Sequence, residues 1–574
     1  MLEKRWIHKS LPEAMEVKML QQAINASEPL AKLLIQRGIT NFESAKSFFN
    51  PSLNQLHPPL LMKDMQVAVD RITEAIESGQ NILVYGDYDV DGTTSVALMY
   101  SFLSNHYEQV SYYLPDRYTE GYGVSTQGID FAADNDISLI VALDCGIKAV
   151  EKVAYAKDKG IDFIICDHHI PGETIPNAVA ILNPLQPDCN YPYKSLSGCG
   201  IGFKLIQALT QSWELDNTEP LQYLDLVAIA AACDIVPITG ENRVLSHFGL
   251  RLMQQSLRPG LELLLDNGGL IGNGMLKRDL TVSDLVFVIG PRINAAGRME
   301  HGQLAVELLT AKTRKQAEEP ASRIIQNNQD RREVDLGMLD EALEMLQDAP
   351  ETKSTVLYAE HWHKGVVGIV ASRIQEHFYR PTIVLTNSNG KASGSARSVR
   401  GFDVHEAIES CADLLENFGG HPAAAGMTMS LEKLDEFKSR FEERVSSTIT
   451  EEQLIPSIEI DMKLDLDQIN DKFYESMNRM APFGPENMRP VFACDNLIDT
   501  GNSKCVGDGT HLKLEVIQKG NPRKKMKGIA FGLGHHLERI QKKEPFSAAF
   551  VLEVNEFNGY KNLELMVKDI RFPE

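Results

Sequence analysis

The chain holds eight cysteines in 574 residues, at 145, 166, 189, 199, 233, 411, 494 and 505, and no two of them form a CxxC pair. That spacing excludes a zinc ribbon or a disulfide framework, and several of the cysteines sit in apolar runs, so reduced thiols in a reducing compartment are expected. No apolar run approaches the roughly 20 residues needed to cross a bilayer. The opening MLEKRWIHKSLPEAM has no secretory apolar stretch, and a cytoplasmic protein without membrane contact is the expectation. There is no GxxxxGK[ST], which excludes P-loop ATP hydrolysis and helicase action. Coiled-coil heptads are missing too, so a monomer is expected. Basic residues are in deficit, 57 Lys and Arg against 79 Asp and Glu, for a net charge of −22. That balance argues against a histone-like nonspecific binder. A polyanion substrate would have to be held by bound cations and a confined basic channel.

What is present divides into about three or four domains on length alone. Residues 1–50 read as helical and mixed in polarity, closed by Pro51. From 81 to about 240, strand-like runs alternate with helical patterns such as TTSVALMYSFLSNH, the mark of βαβ units. The stretch 302–347 has apolar residues at helical spacing and a single proline, which predicts one or more long helices bridging two lobes. A second α/β segment follows from 355, with the glycine-rich stretches NGKASGSARS at 389–398 and FGGHPAAAG at 418–426. Beyond 455 about five short alternating strands are expected, as in a small barrel of the OB type.

The most informative pattern is that apolar runs end in acid or imidazole: ILVYGDYDVDG at 81–92, LIVALDCG at 139–146 and DFIICDHH at 162–169. A fourth, LVAIAAACDIVP at 226–237, carries Asp234. Read as strands of a parallel sheet, they deliver their tips to one crevice. Asp87, Asp89, Asp91, Asp144, Asp167, His168 and His169 would converge there, with Asp234 nearby. Clustered carboxylates repel unless cations lie between them, which predicts a metal centre, with two ions. In extended chain Asp87, Asp89 and Asp91 share a face, Gly92 permits a tight turn, and Thr93-Thr94 would cap the following helix. Oxygen donors suit Mg²⁺ or Mn²⁺, and imidazole tilts the balance toward Mn²⁺. DYDVDG alone also suits a solvated turn or a calcium loop, though no Glu follows at the EF-hand position. GCGIG at 198–202 reads as a tight helix start, and His535-His536 as a structural pair.

DYDVDG, LDCG, DHH and Asp234 together resemble the DHH phosphoesterase superfamily, and FGGHPAAAG resembles the signature of its companion DHHA1 domain. HKGVVGIVASR at 363–373, GPRINAAGR at 290–298 and PDRYTEGYG at 115–123 are similar to its single-strand exonuclease branch, over essentially residues 50–574. The resemblance implies an α/β protein: a parallel-sheet DHH domain and a smaller α/β DHHA1 domain joined by a long helix, plus a C-terminal OB-like β-barrel. The implied division is 1–50 N-terminal helical appendage, 51–300 DHH domain, 301–350 connecting helix, 351–450 DHHA1 domain and 451–574 nucleic-acid-binding barrel.

The implied activity is 5′→3′ exonuclease hydrolysis of single-stranded DNA to 5′-mononucleotides, in repair and recombination. The implied cofactors are two divalent ions, Mn²⁺ or Mg²⁺, bridged by Asp144, with Asp89 on one and Asp91, His168 and Asp234 on the other. Many relatives carry a His where this chain has Tyr85, so Asp87, water or substrate would complete the first shell. His169 is expected on the scissile phosphate, and Asp167 is expected to orient a histidine. A stop for the 5′-phosphate is expected from Ser395 and Arg397 in a small-residue loop with open backbone N–H groups, and from Arg292 or Arg298. Any one of these equally suits a solvated basic loop. Arg117, Tyr118 and Tyr122 suit an entrance where bases stack, and His421 a phosphate contact. KGNPRKKMKG at 519–528 reads as a basic loop suited to a DNA backbone. Partners would be single-stranded DNA, with a single-strand-binding protein and a helicase as candidate suppliers of ends. A small-substrate phosphodiesterase and a degenerate DNA-binding scaffold are the competing readings. The first is disfavoured by the third domain, the second by the intact ligand set.

Overall fold

A computed structural model of the chain describes residues 3–347, 351–557 and 560–573. The three acid-tipped runs are strands, and each is buried along nearly its whole length, which is why each reads as continuous apolar sequence. Asn81–Gly86 (β1), Val110–Tyr113 (β2), Ile137–Leu143 (β3), Asp162–Cys166 (β4) and Ala180–Leu182 (β5) form a sheet in the order β2-β1-β3-β4-β5. All its pairings are parallel, so the carboxyl ends of β1, β3 and β4 lie side by side.

The fourth run is not a strand. Leu224–Cys233 is an α-helix buried from Leu224 to Ala232. An apolar run without amphipathic period does not separate strand from buried helix, and alanines at 228, 230, 231 and 232 tip it to helix. The helices that build the site are Val90–His106 (α1), Gly198–Ser212 (α2), Leu224–Cys233 (α3), Gly240–Gln255 (α4) and Gly290–Met299 (α5).

The long helix Arg314–Gln347 (α6), with Pro320 in its first two turns, leads to the second α/β unit. There Thr355–Tyr358 (β6), Thr382–Ser388 (β7), Lys391–Arg397 (β8), Asn417–His421 (β9) and Ala424–Ser430 (β10) pair in the order β9-β10-β8-β7-β6. The helix Val367–Phe378 (α7) packs on that sheet. It is tied back to α6 by Arg373 Nη2, 2.8 Å from the buried Asp335 Oδ2. The expected anion-binding loop at 389–398 is thus a central strand, and its backbone N–H groups are spent on β7 and β10. Only side chains remain to meet an anion.

The C-terminal sheet has seven strands, not about five: Met462–Lys463 (β11), Phe492–Asp499 (β12), Lys504–Val506 (β13), His511–Gln518 (β14), Asn521–Ala530 (β15), Phe546–Phe557 (β16) and Tyr560–Arg571 (β17). Their order is β11-β12-β16-β17-β15-β14-β13, and a further β12–β14 pairing closes the sheet on itself. The basic stretch 519–528 is mostly β15, so Lys525 and Lys527 stand on a strand face beside Lys513 and Glu515.

The first 50 residues are not wholly helical: Arg5–His8 forms a parallel strand with Ser457–Ile460. Helices within 14–49 bury Val17, Leu20, Leu33 and Leu34 in one core with Phe473, Phe492 and Phe550. Both ends of the chain therefore build one body.

Between α2 and α4 the fold buries an ion pair. Lys204 Nζ lies 2.8 Å from Glu241 Oε1 and donates to the His57 carbonyl at 2.8 Å, while the Tyr191 hydroxyl donates to Glu241 Oε2 at 2.7 Å. Breaking such a pair strands a charge, so Lys204→Met is expected to destabilise the domain by about 3–5 kcal/mol. A urea midpoint unchanged from wild type would show that the two groups do not act as a pair.

Candidate metal centre and neighbouring arginine cluster

Directly after β1 the chain turns into α1, so Asp87, Asp89 and Asp91 are not on an extended segment as expected. Asp89 is the N-cap of α1 and accepts the Gly92 N–H at 3.0 Å. The expected caps Thr93 and Thr94 instead donate back to the Asp89 and Val90 carbonyls at 2.6 Å. Gly92 is required for close approach, because a Cβ there would lie 2.3 Å from the Asp87 carbonyl oxygen. Asp91, in the first helical turn, is clasped by the start of α2: its two oxygens accept from Gly198 N at 2.7 Å and Cys199 N at 2.8 Å. That is what the GCGIG stretch does. Asp144 follows β3 at a left-handed φ of 59°, and a Cβ on Gly198 would lie 2.6 Å from its own Cβ.

These turns bring the donors together. His168 Nε2 lies 3.1 Å from Asp144, 3.5 Å from Asp234 and 3.7 Å from Asp91. Asp91, His168 and Asp234 form one set of potential ligands, and Asp144, His168 and His169 another. Asp87 Oδ2, Asp144 Oδ1 and His168 Nε2 are buried with no hydrogen-bond partner. Orphaned acceptors in a shared cleft are what bound cations would satisfy, so this donor set fits a divalent-ion centre. Tyr85 is no ligand: its ring stacks on Tyr113 and its hydroxyl donates to the Gly123 carbonyl at 3.0 Å.

Burial, followed by the neighbouring acids, pushes the carboxyls upward: Asp87 and Asp144 well above the usual range, and Asp234 to about 8. Asp167 behaves oppositely. Burial is outweighed by hydrogen bonds from the His169 ring at 2.7 Å and from the Ile147 N–H at 2.9 Å, which hold it below its ordinary value. For His169, burial disfavours the charge, but Asp167 prevails and lifts it to about 8. Its Nε2 makes a 3.3 Å hydrogen bond with the hydroxyl of Tyr122, whose residue surface is 55% exposed.

A second cluster lies beyond Tyr88. The Arg117 guanidinium sits 4.7 Å from the Tyr88 ring centre, and Gly297 of α5 packs where a Cβ would meet the Tyr88 carbonyl at 2.9 Å. Arg298 is half-buried and donates to the Gly365 carbonyl at 2.8 Å, while Tyr118 donates to the Arg298 carbonyl. Burial first, then Arg117, Arg331 and Arg397, lower Arg298 to about 9. Arg397 on β8 donates to Ser372 Oγ at 3.1 Å and Ser395 Oγ at 2.6 Å. Gly368, in the first turn of α7, leaves room for Arg397: a Cβ there would be 2.9 Å from Nη2. No side chain caps that helix start.

Two expected members stand apart. Arg292 points to the other side of α5, donating to Asn267 at 3.0 Å and to Val288 at 2.7 Å. His421 is exposed at the end of β9, opposite Ala424. Arg331 of α6 belongs to the electrostatic cluster but carried no motif of its own; only its position on the bridging helix could have flagged it.

Metal-free protein should betray the raised carboxyls. A carboxyl shifted up to about 8 weakens the fold progressively as pH rises from the unfolded value near 4 toward 8. The melting temperature without metal should fall across that window and recover with Mn²⁺, whose binding should release protons. Calorimetry in buffers of different ionisation enthalpy measures the release, and a proton count of zero would contradict the raised carboxyls.

Comparison with known proteins meets this geometry. Protein-family models for the DHH family N-terminal domain, the DHHA1 domain and the RecJ OB domain match residues 81–231, 351–447 and 460–569. The chain is 38% identical over 567 residues to the single-stranded-DNA-specific exonuclease RecJ of Bacillus subtilis (strain 168), covering 98% of this chain and 70% of the relative. It is 33% identical over 562 residues to the exonuclease of that name from Escherichia coli (strain K12), covering 94% and 95%. The crystal structure of RecJ with Mn²⁺ from Thermus thermophilus superposes with a TM-score of 0.84 at 28% identity, covering 99% of this chain and 80% of that one. The same protein has also been solved with Mg²⁺.

Proposed function

We propose, from the premise that this chain belongs to the RecJ family of single-stranded-DNA-specific exonucleases, that it removes mononucleotides from the 5′ end of single-stranded DNA. It is a metal-dependent hydrolase with Mn²⁺ or Mg²⁺ as its ions. The observation that carries the reading is the juxtaposition of an acid-and-imidazole cluster with a half-buried arginine cluster, the two parted by Tyr88.

Asp91, His168 and Asp234 would hold one ion, Asp87 and Asp89 the other, with Asp144 between. Bound there, two divalent ions supply an acidified water and charge stabilisation on the phosphoryl oxygens. His169, kept protonated by Asp167 with Nε2 facing outward, donates to a phosphate oxygen. Arg298, Arg397 and Ser395, joined by Arg331, hold the terminal 5′-phosphate beside the uncapped start of α7. Arg298 is preferred to Arg292 because it alone of the two faces Arg397. Arg117, Tyr118 and Tyr122 flank the way in, where a duplex end cannot present unstacked bases. Lysines on β15 offer the backbone contact of an OB-like domain. The same proposal includes a role in repair and recombination, a monomer in the cytoplasm supplied with ends by a helicase and a single-strand-binding protein, and the domain division set out above, with residues 1–50 joined to 451–574 in one body.

Single-stranded DNA labelled at its 5′ end should lose label immediately, 3′-labelled DNA only at the last step, and blunt duplex neither, with EDTA abolishing all release. Early loss of the 3′ label would overturn the polarity. Asp144→Ala should abolish cleavage with the fold retained. Arg397→Ala should cut the preference for a 5′-phosphate by about 10- to 100-fold, the worth of one charge-assisted bond, and an unchanged preference would place the stop elsewhere.

A further inference from the structure

Asp234 is the acid of the centre that the C-terminal end of a helix delivers. It comes directly after the last turn of α3, its N–H donating to the Ala230 carbonyl at 2.9 Å. Ile235 is next, left-handed at φ 60° and 68% exposed. A β-branched residue disfavours that conformation, and an exposed side chain gains nothing from packing. So the turn that aims Asp234 must be held by the segment 236–243 on its far side.

That segment is anchored in the C-terminal body. Val236 and Ile238 bury themselves with Ala231 in a small separate cluster. The Ile238 N–H donates to the Pro485 carbonyl at 2.8 Å, and Gly484 lies so close that a Cβ there would be 2.4 Å from Ile238 Cγ1. One turn further on, Arg243 of α4 donates to the Met480 carbonyl at 2.7 Å and the Phe48 carbonyl at 3.1 Å, its guanidinium 3.9 Å from the Phe48 ring centre. The turn 480–487 is itself braced: Asn487 donates to the Met480 and Pro482 carbonyls at 3.0 and 2.8 Å, and Arg37 donates to Asn487 Oδ1 at 3.1 Å.

We propose that the turn 480–487, with Gly484, Pro485 and the Arg243 anchor, is a positioning element for the metal ligand Asp234, so that the ion site of Asp91, His168 and Asp234 is fully formed only when the C-terminal body is docked. The inference rests on the metal-centre reading above and extends it to residues outside the ligand set.

The test is Mn²⁺ binding to the full chain, followed through the electron paramagnetic resonance signal of the free ion. Gly484→Ala should push Ile238 aside. One of two Mn²⁺ sites should weaken about 10-fold or more, as when a residue supporting a ligand is changed. The other should keep its affinity, the melting temperature of the metal-free protein should change little, and excess Mn²⁺ should restore the cleavage rate. Should Gly484→Ala not fold, Ile238→Ala and Arg243→Lys loosen the same contact from the other side and should give the same one-site loss. Two unaltered Mn²⁺ affinities in the variants, beside two sites in the wild type, would overturn this proposal alone. A wild-type chain that binds no Mn²⁺ would remove the metal centre and this proposal with it.

Discussion

Mutual repulsion among buried carboxylates is the constraint on which the rest of the structure depends. Asp87, Asp91, Asp144 and Asp234 are drawn into one cleft, and burial together with their neighbours lifts all four carboxyls above their normal range. Such a cluster persists only where the scaffold over-determines it. The scaffold does so with close backbone approaches: Gly92 against Asp87, Gly198 against Asp144, and the N–H groups of α2 against Asp91. Sheet, helix starts and glycines all serve to hold these oxygen donors together, their charge suppressed by bound protons until cations take the protons' place.

The second cluster has the inverse problem, since Arg298 is half-buried among the like charges of Arg117, Arg331 and Arg397. Placed on either side of Tyr88, the two clusters form a polarised cleft within a chain of net charge −22. Global charge therefore says little about what the cleft admits. The local field is set by a few desolvated groups.

Much of this was legible in the sequence alone. Continuous apolar runs ending in Asp or His identify β1, β3 and β4 because buried parallel strands leave no alternation, and their carboxyl ends must converge. What escaped has equally physical causes. The run before Asp234 is apolar on all sides, so periodicity could not distinguish helix from strand. GKASGSARS looks like a loop because small residues and glycine dominate it, yet as β8 it lies between two neighbours, and Gly394 has the Val384 carbonyl pressed against it. The N-terminal helices carry no signal that their partner core lies more than 400 residues away. Such a contact is written in neither segment alone.

One feature of the cleft bears on which elements it tolerates. Cysteines adjoin its acids in the chain: Cys145 beside Asp144, Cys166 beside Asp167, Cys233 beside Asp234. All eight cysteines are unbridged. Burial, before any neighbouring charge, pushes these three thiols up, Cys233 to about 12. Since the thiolate is the form that ligates soft metals and attacks electrophiles, sulfur here stays silent. Cys166 and Cys145 belong to separate hydrophobic cores and Cys233 packs against the first of them, so the cleft keeps the oxygen-and-imidazole character of a hard-ion site. Alkylating agents should find little purchase on these three thiols.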